Sequence, residues 1–356
     1  MTGFVKRLFS ESTLIPVVSI LIGLILGAVI MLAGHYNPFL AYGSLFAKAF
    51  GDMYNFGETI RQITPYIFTG LAVAFAFRTG LFNIGAEGQF IMGAVAAACV
   101  GVLLDAPWFL HVPLALAASA LAGGLWGSIV GYLKAARGVH EVITTIMLNW
   151  IALHAANYIV RTALLEKGMA RSKYIQESAW LSSPGLSELF DHARIHYGVL
   201  IALALSVLFY YVLWKTRQGY ELRAVGFNPD ASEYAGINVK STFVKTMFIS
   251  GLFAGVGGAC EVMGVFHYQT INAAFPGYGL MGIAVALIGR NTAVGVVLGA
   301  VLIGVLTYGA SGMKFGAGVP EELIHVVIAL VIFFVAAGGM VELLIRRFRK
   351  KNGTVH

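Results

Sequence analysis

Charge is scarce in this 356-residue chain: Asp, Glu, Lys and Arg make up 12% of it, while apolar types make up 58%. That charged share is roughly half of an ordinary soluble domain's and argues against a water-soluble fold. Cysteine is scarcer still. Cys99 and Cys260 each sit inside an apolar run with no metal-like or disulfide-like spacing, which reads them as small residues facing lipid or core. No Gly-Lys-Ser/Thr occurs, so the chain has no phosphate-cradling loop with which to bind ATP. A nucleophile elbow, a zinc signature and a dinucleotide fingerprint in strand–helix context are missing too, which argues against catalysis within the chain. Nor is a cleavable leader expected. The first apolar run, 14–34, exceeds the roughly 7–15 residues of a signal-peptide core and no A-x-A pattern follows it, so it is read as a retained helix.

What the chain has in abundance is glycine, 43 residues. Glycine costs about 1 kcal/mol relative to Ala in a water-exposed helix, yet it serves close helix packing in lipid. The formal charge of +7 is no sign of nucleic-acid binding, because the cations fall at the ends of apolar runs, as membrane topology requires. A spanning helix needs roughly 20 apolar residues. Ten stretches qualify: 14–34, 60–78, 83–104, 113–133, 141–160, 196–214, 243–266, 277–289, 292–310 and 322–345. The eighth is too short for a regular crossing and is expected to be tilted, irregular, or half of a broken element. Lysine and arginine divide 16 to 8 in favour of the side that carries both termini, which puts the termini inside. The 161–195 loop then holds five cations outside, and the comparably cationic 215–242 loop lies inside. The basic clusters at the two termini decide between the orientations.

Several polar stretches stand out. In 218–240, QGYELRAVGFNPDASEYAGINVK, Asn228 is a good N-cap, Pro229 suits a first turn, Asp230 and Glu233 favour the positive helix end, and Gly236 is placed to stop it. A helix of about two turns is expected there. Alone it would be marginal, so it needs a surface, either this protein's own helices or a cytoplasmic partner. In 77–89, FRTGLFNIGAEGQ, three glycines interrupt the chain while Asn83, Glu87 and Gln89 bring polar groups to membrane depth. An ionisable group there costs about 2.5–3.5 kcal/mol on insertion scales, which favours a cavity-facing position. Alternatively, Asn83 caps the third span and Glu87 complements its dipole. The stretch 275–291, FPGYGLMGIAVALIGRN, is the matching Pro/Gly-broken piece of the second half, and paired broken segments point to a central pathway or to tight small-residue packing.

Glu141, Thr145 and Asn149 recur at i, i+4 and i+8, within about 80° on one helical face and spread over about 12 Å. They form either a polar strip along a conduit or interhelical hydrogen-bond glue. Glu261 is the other acid expected inside a span. Gly23/Gly27, Gly127/Gly131, Gly251/Gly255 and Gly295/Gly299 match the small-residue packing motif. His192 and His196 have metal-compatible spacing without a supporting frame and are read as a surface helix start.

Four of these stretches, FRTGLFNIGAEGQF, GVHEVITTIMLNWI, GYELRAVGFNPDASEYAGINV and FPGYGLMGIAVALIGRN, give the chain a resemblance to a known family. It resembles the permeases of the ribose and branched-chain amino acid type of ABC importer. The nucleoside and simple-sugar subgroup served by basic-membrane-protein lipoproteins is the most similar. The resemblance implies an all-α integral membrane fold of about ten helices in two inverted five-helix halves, a single domain over 1–356, in the bacterial cytoplasmic membrane. It implies that the 215–242 loop holds a cytoplasmic coupling helix, with Glu221, Arg223, Gly226, Asn228, Asp230, Glu233 and Gly236 engaging an ATPase. No cofactor is expected on this chain, and ATP and Mg belong to that ATPase. The other implied partners are a second permease subunit, often a different chain, and a substrate-binding lipoprotein resting on the outer 161–195 loop. The expected cargo is a nucleoside, with purine nucleosides such as guanosine foremost. The polar residues Asn83, Glu87, Gln89, Asn149 and Glu261 are expected to line or brace its pathway. A simple sugar or branched-chain amino acid is the alternative cargo, and an ion-coupled carrier or channel the alternative class.

Overall fold

The computed structural model describes residues 11–340, with side chains from 15 onward. The basic clusters that decided the orientation, Lys6 with Arg7 and Arg346 to Lys351, lie outside the described residues, as does the end of the 322–345 stretch. Among the described residues the protein is helical. Its only extended pairings are two isolated bridges, Leu165 with Ser172 and Arg171 with Thr270.

The helices are α1 (Glu11–Ala33), α2 (Pro38–Phe50), α3 (Met53–Arg78), α4 (Ala86–Leu103), α5 (Trp108–Arg137), α6 (Glu141–Ile159) and α7 (Pro184–Leu189). There follow α8 (Gly198–Lys215), α9 (Arg217–Phe227), α10 (Pro229–Tyr234), α11 (Val239–Glu261), α12 (Tyr278–Ile288), α13 (Ala293–Ala317) and α14 (Glu321–Ala336). Among the described residues, eight are long and apolar enough to cross a membrane: α1, α3, α4, α5, α6, α8, α11 and α13. The stretch expected at 277–289 is the 11-residue α12, too short to cross, and the described part of the last stretch is the 16-residue α14. Sequence periodicity missed three helices, the short α7 in the 161–195 loop and two longer ones. α2 is amphipathic and starts at Asn37, whose side chain accepts from Phe39 N and Leu40 N; α9 lies in what reads as a polar loop.

The chain forms two compact units. In the first, residues 11–51 and 305–340, α1 packs along α14 with Gly23 against Val331 and Gly27 against Val327. Tyr42 of α2 donates to Leu24 O at 2.6 Å and braces the same helix.

The second unit, 52–304, is built around α3 and α11, the two most deeply buried spans. α5 lies on α11 through glycine: Gly123, Gly127 and Gly131 face Gly251, Gly255, Met247 and Val244 at backbone contact. Lipid offers no hydrophobic drive to bring helices together, so the gain comes from dispersion at this close range. Two of the small-residue motifs thus form one interface.

Candidate functional site

The two broken segments meet. α12 starts beside the middle of α3, with the Tyr66 and Tyr278 rings 5.7 Å apart and Gly282 packed on Thr69. It ends at the C-terminus of α3, where Arg78 Nε donates to Asn291 O at 2.8 Å and Nη2 to Arg290 O at 3.0 Å. Tyr66 is twelve residues from Arg78, so α12 begins about 18 Å inward from that end of α3. α4 begins at the same depth. Glu87 in its first turn is fully buried, and its carboxylate accepts from Gly277 N at 2.7 Å, Gly279 N at 2.6 Å and Leu280 N at 3.1 Å. These are the orphan donors at the start of α12, so one carboxylate caps a neighbouring helix while sitting at the positive end of its own. Gly279 lies against the Glu87 backbone so closely that any Cβ there would overlap it.

The other polar residues singled out by sequence brace this junction. Asn83 Nδ2 donates to Gln89 Oε1 at 2.9 Å and to Ser250 Oγ at 2.7 Å, and Ser250 in turn donates to Ala72 O. Asn83 therefore ties α3, α4 and α11 together and does not cap α4, whose N-cap is Gly85. Asn149 accepts from Gly88 N at 2.8 Å and donates to Ile84 O at 3.1 Å, holding α6 to the junction. Thr145 bonds back to its own helix, and Glu141 pairs with Lys134 at 2.6 Å. Of the strip on α6, Glu141 and Asn149 bond to neighbouring segments and Thr145 bonds within the helix.

Glu261 alone of the five expected pathway residues lines a cavity. This space of about 260 Å³ is walled by Phe90, Phe266, Tyr268, Phe275 and Tyr278, with Gln269, Thr270 and Asn272 adding polar groups. A π-helical turn, Val262–Phe266, follows Glu261, and His267 at φ 59° then breaks the helix, which swings 268–277 along the cavity. Such turns recur at functional sites because the extra residue re-aims side chains. The 161–195 loop closes over this segment: Ser172 N donates to Gln269 O at 2.8 Å, and Arg171 is stacked between Tyr174 and Tyr268, 4.3 and 4.5 Å from their centroids.

Beside the cavity runs a chain of buried charges that the sequence reading did not find. Glu58 is 1% exposed; it accepts from Arg61 Nε at 2.8 Å and from Arg194 N, Nε and Nη2 at 2.8, 3.1 and 2.8 Å. Arg61 Nη1 lies 3.9 Å from Glu261, which accepts from the Tyr278 hydroxyl at 3.0 Å. Glu58 and Arg61 are one helical turn apart, but Arg194 and Glu261 come from distant parts of the chain, so only a charge inside a predicted span could have flagged the set.

His196, read as part of a surface helix start, is buried in a turn, and His192 has a left-handed backbone. Burial, with Arg61 and His267 nearby, lowers the His196 pKa to about 4. Its Nδ1 accepts from Gly198 N at 3.1 Å, a bond that needs the neutral ring. No cluster of metal-ligating side chains occurs among the described residues.

At the far end of α8, α9 and α10 form a small knob. Asn228 accepts from Ala231 N at 3.0 Å and caps α10, and Gly236 at φ 84° ends it. Glu221 pairs with Arg217 at 2.9 Å, the Arg223 guanidinium lies 4.1 Å from the centre of Trp214, and Gly226 touches the Arg78 carbonyl. Phe227 and Tyr234 are 89% and 96% exposed.

Residues 55–336 match the family described as branched-chain amino acid transport system, permease component. The chain belongs to that permease family. The permease is 50% identical over 348 residues, 98% of its length and 99% of the relative's, to a guanosine ABC transporter permease protein of Bacillus subtilis. It is 37% identical, over 94% of both chains, to a nucleoside ABC transporter permease protein of Lactococcus lactis. A glucose ABC transporter permease protein of Haloferax volcanii is 35% identical over 90% of this chain and 86% of its own. No solved structure gives a significant match. The permease is a multi-pass membrane protein and a transport subunit, not an ATPase.

Proposed function

We propose that the chain is the membrane-spanning subunit of a nucleoside ABC importer, the pathway through which ATP hydrolysis on a separate subunit drives uptake. The observation that carries this reading is the end-to-end likeness to guanosine and nucleoside permeases. The aromatic-walled, polar cavity beside the α4–α12 junction supports it, because a nucleoside offers both a ring face and hydroxyl groups.

In this reading the ten stretches form two inverted five-helix halves, with α4 and α12 as corresponding interrupted elements and both termini cytoplasmic. Asn83, Glu87, Gln89 and Asn149 hold the junction as one body, and Glu261 faces the cargo. The α9–α10 knob is the coupling element. Glu221, Arg223, Gly226, Asn228, Asp230, Glu233 and Gly236 shape or present it, and the exposed Phe227 and Tyr234 rings give a partner ATPase something apolar to grip. That ATPase carries ATP and Mg. A second, different permease chain and a lipoprotein docking on 161–195 complete the assembly.

Uptake of labelled guanosine, glucose and leucine into vesicles, with and without ATP and with an ATPase-dead partner, tests the proposal. ATP-dependent guanosine uptake is expected. Glucose or leucine uptake without guanosine would move the cargo to a sugar or amino acid, and uptake without hydrolysis would refute the importer. Substitution of Gly226 or Glu233 should reduce ATPase co-purification, and normal assembly and uptake in both would count against the coupling role.

A further inference from the structure

The cavity has two chemically different ends, and each leaves polar atoms without a hydrogen-bond partner among the described residues. At one end Phe90 and Tyr278 set their rings 5.3 Å apart beside Glu261. Glu261 Oε1 takes the Tyr278 hydroxyl, while Oε2 accepts a hydrogen bond from no described residue. At the other end Gln269 Nε2 is used on Thr270 O and Asn272 Oδ1 on the Thr270 hydroxyl. That leaves Gln269 Oε1 and Asn272 Nδ2 unpaired among the described residues. A carboxylate oxygen this deep is costly unless something donates to it.

Building on the nucleoside reading, we propose that this cavity holds one purine nucleoside in transit and that Glu261 selects a 6-oxo-2-aminopurine base. The base lies against Phe90 and Tyr278, where every heterocycle gains from stacking. Glu261 Oε2 then accepts from the ring N–H and the exocyclic amine that such a base presents side by side. Adenine lacks that ring N–H and offers an acceptor in its place, which a carboxylate repels. The ribose hydroxyls, each donor and acceptor, meet Gln269 Oε1 and Asn272 Nδ2 at the other end. A cavity of about 260 Å³ falls just below the roughly 300–1,000 Å³ of drug-sized sites and suits a single small ligand.

The test compares guanosine, inosine and adenosine uptake by wild-type and Glu261→Gln permeases, reconstituted with the same ATPase, second permease and lipoprotein. With the lipoprotein held constant, any change in the ratio of rates belongs to the permease. The guanosine-to-adenosine ratio of kcat/KM should fall at least tenfold in Glu261→Gln, with inosine intermediate in the wild type. Gln269→Ala and Asn272→Ala carry the test if Glu261→Gln does not assemble. Each should lower the preference for guanosine over its 2′- or 3′-deoxy analogue severalfold. Unchanged ratios in assembled variants, with wild-type guanosine uptake intact, would overturn the subsite alone. A wild-type complex that imports no nucleoside would overturn the parent reading.

Discussion

Replacing Glu87 probes the junction most directly, because its carboxylate satisfies three backbone N–H groups at the start of α12. Gln preserves the shape and keeps one acceptor oxygen. The better of its two orientations serves Gly279 N and Leu280 N and turns an NH₂ group toward Gly277 N. One buried donor is then orphaned, at about 1–3 kcal/mol, and the charge at the positive end of α12 is lost, at up to about 2 kcal/mol. Glu87→Gln should thus destabilise the permease by about 2–4 kcal/mol. Glu87→Ala orphans all three donors and should cost at least about 3 kcal/mol. Unfolding of the purified permease in detergent, by denaturant titration followed through tryptophan emission, orders the variants. Uptake should fall in the same order, since a displaced α12 moves Tyr278 in the cavity wall. Wild-type unfolding in both variants would refute the claim that Glu87 caps α12.

His196 gives a pH test. Its folded-state pKa of about 4 lies below the ordinary value near 6.5, so the unfolded chain binds the proton more readily. Stability from this site is therefore complete above about pH 6.5 and is lost as pH falls toward 4, by up to about 3 kcal/mol. His196→Gln should flatten the unfolding profile across that window, and an unaltered slope would show that the ring is not held neutral. The charge chain predicts an asymmetry. Glu58→Ala takes from the buried Arg61 its 2.8 Å partner and leaves it only Glu261 at 3.9 Å, and should cost about 3–5 kcal/mol, whereas Arg194→Ala, whose side chain is half exposed, should cost about 1 kcal/mol; equal effects in denaturant unfolding would contradict the burial assigned to Glu58. Gly251→Leu should force α5 from α11 and abolish accumulation of folded protein in the membrane, because its Cβ would meet the Gly123 backbone; normal yield would refute that contact.

Much of the architecture is local and therefore legible in one dimension. Long apolar runs locate the spans, and the α10 cap and stop follow from Asn228, Pro229 and Gly236, which act within one turn. The interruption at 277–289 shows in its length. α2 and α9 escaped because their signals are weak in hydropathy: one is short and amphipathic, the other mixed in polarity.

The site is a different matter. From sequence, Asn83, Glu87, Gln89, Asn149 and Glu261 are polar residues at membrane depth, and lipid makes such residues expensive enough to be noticed. Sequence alone could not separate the bracing residues from the one that faces a cavity, because most of the bonds that distinguish them join segments distant in the chain. Glu87 reaches Gly277, and Asn83 reaches Ser250, across more than a hundred residues of chain. Glu58 and Arg61 drew no attention in the sequence, because the Arg194 that closes around Glu58 lies 136 residues away in the chain. Composition and run length thus decided by themselves that this chain lives in a membrane, since the free energy of burying each residue in lipid belongs to that residue. Which polar groups are spent on one another and which stay open to a ligand depended on distance in space, and only the packed helices set those distances.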